Sequence, residues 1–353
     1  MANISHVQVA ANGARSRIAS LLEATEQGYL QYPFGLIRAV VGLPKWIWLV
    51  VVALVVGSVV SFGAAADVPD GLSIGRTVSR AVDKGVDWMV VNWDPVFSAI
   101  NSNLLQHFLL PLEKWLLVLP WWLAIGVVAF VSYRMVGLVF ALLSVGMMMA
   151  LAALGLFDLA MSTLAIVLVS TALAVILGVP TGIAMAKSTH IDGVIRPTLD
   201  LMQTMPSFVY LIPVLMLFGL GKVPAVIAVV IYAVAPIVRL TSLGIRQVDG
   251  RVIEAALAFG ATSTQVLLKV QLPLALPSIM AGLNQTIMMA LAMVVVASMI
   301  GAKGLGVEVL NGIARLEVGR GLLGGIGIVI MAVILDRITQ GLARSQRVRT
   351  ATL

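Results

Sequence analysis

The sequence predicts an all-α polytopic membrane protein with about eight transmembrane helices. Three observations carry that reading. Sixty per cent of the 353 residues are apolar, against roughly 45–50% in soluble domains. Only 11% are charged, against about 25%. The apolar residues gather into runs near the roughly 20 residues that a helix needs to cross a bilayer. A soluble domain of this length cannot hide so much apolar surface. Solubility, intrinsic disorder and nucleic-acid binding are therefore disfavoured together. The formal net charge of +7 is then expected in loops on the cytoplasmic side. There is no cysteine, which removes disulfides, thiol catalysis and thiolate metal sites.

Residues 1–44 are polar, carry Glu23 and Glu26, and lack the short apolar stretch of a signal peptide. They are expected to form a cytoplasmic N-terminal segment. The first span is Trp46–Ala66, entered from Lys45 and left at Asp67. The second is Pro120–Tyr133, the third Met135–Phe157 and the fourth Leu159–Ala186. The fifth covers about Leu201–Leu220 and the sixth about Val223–Val238, left at Arg239. The seventh covers about Leu276–Ala302. The eighth covers about Gly321–Leu335, left at Asp336 and Arg337. Lys187 and Arg196, then Arg239, Arg246, Arg251 and Lys269, then Arg337 to Arg349 fall on one side by parity. The positive-inside rule makes that side cytoplasmic, with both termini.

Between the first two spans, residues 77–119 form an external amphipathic segment. Val82, Val86, Met89, Val90 and Trp93 recur at helical spacing, with Asp83, Lys84 and Asp87 opposite. Trp88, Trp93, Trp115, Trp121 and Trp122 suit the membrane–water interface. The chain thus divides into residues 1–44, a transmembrane extension 45–155, a motif-dense core 156–340, and a basic cytoplasmic tail 341–353.

The loop between spans six and seven carries the strongest local signal. It reads EAALAFGATSTQVLLKVQLP from Glu254 to Pro273. Asp249 is placed to cap a short helix that Gly260 ends, because glycine accepts the left-handed turn. Thr262 and Gln265 have capping-box spacing for a second short helix. Pro273 and Pro277 punctuate entry into span seven. The product is a helix–turn–helix beneath the membrane, suited to docking in a groove of a soluble partner.

The string resembles the EAA loop of ABC importer permeases. The family pattern is E-A-A, three residues, G, nine residues, I, one residue, L-P. Glu254, Ala255, Ala256, Gly260, Leu272 and Pro273 match it, and Val270 replaces the isoleucine. Segments from PTLDLMQTMPSFVYLIPVLMLFGLGKVPAVIA to VVVASMIGAKGLG are similar to permeases of osmoprotectant importers for glycine betaine, proline betaine and choline. Lys303-Gly304-Leu305-Gly306 stands where that family usually has Gly-Gly-Leu-Gly.

The resemblance implies the type I importer fold, with residues 156–340 as the permease core. It implies a homodimer of permeases in a bacterial inner membrane, two copies of a cytoplasmic ATPase that holds ATP and Mg, and an extracytoplasmic binding protein. It implies that Glu254 pairs with basic groups nearby, that Ala255 and Ala256 enter the ATPase groove, and that Leu272–Pro273 lock the loop to span seven.

No Walker A loop exists on this chain, since Gly221-Lys222 is followed by Val223 and Lys303 by Gly304. His6, His107 and His190 are too far apart for a metal site. No catalytic grouping recurs at membrane depth. Polar residues at lipid level are expensive and often functional. Gln203, Thr204, Ser207, Asn284, Gln285 and Ser298, with the thioether of Met293, are the candidates for the translocation path. Two other readings stay open: an ion-coupled secondary transporter, and a membrane scaffold that docks through residues 77–119.

Overall fold

A computed structural model describes residues 45–62 and 74–351. The chain divides into two units at Val78 and Ser79. The described part of the first holds α1 (Lys45–Phe62), a run whose described side chains are mostly exposed. Residues 1–44, and the expected end of span one at 63–66, lie outside the described residues.

From Gly75 onward the described chain is helical apart from short connections. Helix α2 (Gly75–Asn103) passes through a π-helical turn, Leu104–Leu109, into α3 (Leu110–Val118). Then come α4 (Trp121–Met135), α5 (Leu138–Ala153), α6 (Phe157–Lys187), α7 (Thr189–Thr204), α8 (Ser207–Phe218) and α9 (Lys222–Arg246). Two short helices follow, α10 (Gly250–Ala258) and α11 (Ser263–Val266). A second π-helical turn, Leu267–Gln271, leads into α12 (Leu272–Ala297). Helices α13 (Leu305–Ala314) and α14 (Val318–Ala351) complete it.

Prolines explain the irregularities. A proline ring clashes with the carbonyl four residues back and donates no bond to it. Pro111 and Pro273 have such carbonyls at His107 and Lys269, inside the two π-helical turns. The widened turn makes room and the helix continues. Proline also drives the residue before it into extended backbone. Leu119 (ψ 123°) precedes Pro120, and Met205 (ψ 137°) precedes Pro206. At each the chain turns by 104°.

These bends correct the expected spans. Leu201–Leu220 is not one helix: Leu201–Thr204 end α7, and only α8 follows the break. Span two starts at the other bend, and span three is the 16-residue α5 alone. Spans six and eight run on past Arg239 and Asp336, because a charge marks where hydrocarbon ends and not where hydrogen bonding ends. Helix α13 lies between the expected spans seven and eight. Among the described residues four helices are long and apolar enough to cross a membrane, and six if each bent pair counts as one span.

Helix α9 is the centre of the core, packed along α6 and α12. Its residues Val223 to Val230 and Ala233 to Val238 are largely buried. Within a membrane, close packing rather than water exclusion holds helices together. Gly182 of α6 shows how close: a Cβ there would lie 2.6 Å from the Val238 carbonyl oxygen and 2.7 Å from Thr241 Cβ. At the far end of α9, Lys222 reaches back to Glu113 of α3 at 2.5 and 2.7 Å, and the carboxylate is almost fully buried.

Candidate functional site

The α9–α12 loop is built from local chemistry. The Asp249 carboxylate accepts the Arg251 backbone N–H at 2.9 Å and starts α10. The Arg251 guanidinium also donates to it at 2.7–3.2 Å, which holds its carboxyl below the ordinary aspartate value. Gly260 ends the helix at φ +83°. Thr262 accepts the Gln265 N–H at 3.3 Å, and the Gln265 side chain accepts the Thr262 N–H at 2.8 Å. Both halves of the expected capping box are present.

The second half of the loop is anchored. Leu267 packs with Ile245 and Ala275, and Leu272 and Ile183 close that cluster. Val270 and Pro273 are half-buried beside it. The first half faces outward. Glu254 and Ala255 are exposed and Ala256 is half-buried. Val252 and Leu257 are exposed, and Phe259 is 93% exposed. Glu254 makes no ion pair among the described residues. Phe259 was not singled out from the sequence. The signal was available: an aromatic residue immediately before a turn glycine has no helix face to pack on.

A second site lies on α7, α9 and α12. A cavity of about 530 Å³ is lined by Arg196, Asp200, Gln203, Arg239, Arg246 and Gln285, with Met185, Pro236, Leu240 and Leu243 as apolar wall. Asp192 accepts from Arg196 at 3.0–3.3 Å and faces Arg246 at 3.2 Å. Arg246 also donates to the Met185 carbonyl. Asp200 pairs with Arg239 across 39 residues of chain.

Two path candidates, Gln203 and Gln285, thus meet at one cavity. Asn284 lines a smaller cavity of about 290 Å³ with Thr339 and Gln340. There it donates to Asp336 at 2.8 Å and accepts from Thr339. Thr204 bonds back to the Leu201 carbonyl, and Ser207 is half-buried at the start of α8. Met293 and Ser298 are buried in the core of the chain, where the Ser298 hydroxyl donates to the Val294 carbonyl at 3.0 Å. Within one chain they face neighbouring helices. Among the described residues no cluster of His, Asp and Glu suits a metal ion.

Comparison with known proteins adds three findings. The family described as binding-protein-dependent transport system inner membrane component matches residues 178–348. The glycine betaine/proline betaine transport system permease protein ProW of Escherichia coli is 47% identical over 268 residues, 76% of this chain and 75% of that protein. The glycine betaine transport system permease protein OpuAB of Bacillus subtilis is 42% identical over 268 residues, 76% of this chain and 95% of that protein.

Proposed function

This chain belongs to the family of binding-protein-dependent transport system inner membrane components, and from that premise we propose that it is the membrane-spanning subunit of an ATP-driven importer for quaternary ammonium osmoprotectants. Glycine betaine heads that class, as the names of both relatives indicate.

The single observation that carries the coupling is the α9–α12 loop. It is stiffened by two helix caps, anchored to the core at its α12 end, and turned outward at Leu257 and Phe259. An exposed aromatic ring on a rigid turn gains most when a partner covers it. Glu254 is exposed and makes no ion pair among the described residues, which leaves its carboxylate open to a cation of the ATPase. Ala255 and Ala256 leave room for a second backbone to approach. Gly260 sets the turn, and Val270, Leu272 and Pro273 carry its motion into α12. The partner is a cytoplasmic ATPase, which supplies ATP and Mg chemistry of its own.

Two copies of the permease pair, each seated on one ATPase, and an extracytoplasmic binding protein delivers the substrate. Nucleotide-driven movement of the loops switches the path between the two sides by rigid-body motion. Both termini lie in the cytoplasm, on the side of the basic loops. Gln203 and Gln285 serve the path from the cavity that they share, and Asn284 extends it through the smaller cavity that Gln285 also borders.

The experiment is affinity purification in mild detergent from the native host, with mass identification of the companions. An ATPase with a Walker A loop, in about equal amount, is expected. A chain that purifies alone where comparable assemblies survive would remove the role of the loop and favour an ion-coupled transporter.

A further inference from the structure

The charges around the 530 Å³ cavity fall into two groups. Asp192 is largely buried and shared by Arg196 and Arg246, so these three groups satisfy one another. Arg239 and Asp200 differ. Their ion pair joins α9 to α7, and the side chains are 36% and 58% exposed. A pair that keeps this much water contributes little to stability. Its two halves are therefore cheap to separate.

Arg239 also has spare donor capacity. Its Nε is buried and has no hydrogen-bond partner among the described residues. A guanidinium binds a carboxylate best through Nε and one Nη together, and here the Asp200 contact runs through Nη2 alone. A guest carboxylate that took both donors would satisfy the orphan N–H. Asp200, released, would then face the positive end of the same guest. Gln203 and Gln285 supply neutral polar contacts, and Met185, Pro236, Leu240 and Leu243 supply surface for methyl groups. The volume lies within the range of small-molecule sites.

We propose that this cavity is a binding subsite for small zwitterions that carry a carboxylate and a quaternary ammonium, with Arg239 taking the carboxylate and Asp200 the ammonium. The inference rests on the importer reading and deepens it. A zwitterion replaces the internal ion pair with two equivalent ones. A quaternary ammonium alcohol matches Asp200 only and leaves Arg239 without a counter-charge. The subsite therefore selects betaines over choline on the permease itself.

The test is equilibrium binding of radiolabelled glycine betaine and choline to the permease–ATPase complex in nanodiscs, without binding protein. Saturable binding is expected, with glycine betaine preferred. Arg239→Gln is expected to weaken glycine betaine by about tenfold or more and to leave choline unchanged or tighter, since Asp200 is then free of its internal partner. Asp200→Asn is expected to weaken both. Arg239→Lys, which keeps the charge without the fork, covers the case in which Arg239→Gln fails to assemble. It should weaken glycine betaine several-fold and spare choline. No saturable binding to the unaltered complex overturns the proposal, as does an equal effect of the Arg239 variants on both ligands. ATP-dependent uptake of glycine betaine by the unaltered complex with its binding protein tests the importer reading separately. Uptake with no selective Arg239 effect sinks the subsite alone; no uptake sinks the importer reading.

Discussion

Replacing Phe259 by alanine separates docking from folding. The ring is 93% exposed, so its removal takes almost nothing from the chain's own packing. Stability of the isolated permease should stay within about 0.5 kcal/mol, as for surface substitutions generally. A groove on the ATPase that covers the ring gains about 1.5–3 kcal/mol from its burial. Loss of that contact corresponds to about a ten- to hundredfold rise in Kd for each loop. The assay is surface-immobilised permease in nanodiscs, titrated with purified ATPase, with thermal unfolding of the same samples as control. Phe259→Leu should retain most of the affinity. An unchanged Kd with intact folding would refute the argument, since the ring would then lie outside the contact. A large loss of thermal stability would refute it differently, because the ring would be shown to pack within the chain.

Three further outcomes follow from the geometry. Gly260→Ala meets no atom within 4 Å but holds φ +83°, so the loop is strained by about 1–2 kcal/mol; ATPase activity should lose its dependence on loaded binding protein while the permease still folds. Gly182→Ala drives a Cβ to 2.6 Å from the Val238 carbonyl oxygen and should lower stability by about 1–3 kcal/mol, whereas Gly193→Ala, with open space around it, should not; equal thermal midpoints for the two would contradict the packing account. Glu113→Gln strands Lys222 beside a buried site and should cost about 2–3 kcal/mol, less than for a fully enclosed pair because Lys222 keeps some water; a double-mutant cycle with Lys222→Met should show that most of this cost is coupling, and additivity would dismiss the pair.

Legibility in the sequence followed the range of the interactions. The caps at Asp249 and Thr262 and the turn at Gly260 act over two to four residues, so spacing alone revealed them. Apolar runs revealed the long helices, because lipid imposes its length on every span. Of the two 104° bends, the one at Pro120 coincides with the expected start of span two, whereas the one at Pro206 falls inside the expected fifth span, because hydropathy does not register ψ. The helices that outrun Arg239 and Asp336 were cut short for the same reason. The Arg239–Asp200 pair joins residues 39 apart and leaves no local trace. Gln203 and Gln285 were identifiable as polar residues at lipid level, but only the packing of α7 and α12 brings them to one cavity. The same polarity argument chose Ser298, which satisfies itself on its own helix.

The π-helical turn before Pro273 has a mechanical consequence. It lets α11 run into α12 without interruption, so Ser263 to Ile300 is a single helix of 38 residues. At 1.5 Å per residue such a rod is about 55 Å long, well beyond the hydrocarbon thickness of about 30 Å. One end is seated in the loop that bears Phe259; the other ends at Ile300, whose carbonyl accepts the Gly221 N–H at 2.8 Å. A tilt of about 10° about one end of a lever this long displaces the other by about 10 Å. On the coupling proposed above, a small angular push at the loop would be enlarged into a displacement of about 10 Å at the far end, without any helix having to unfold.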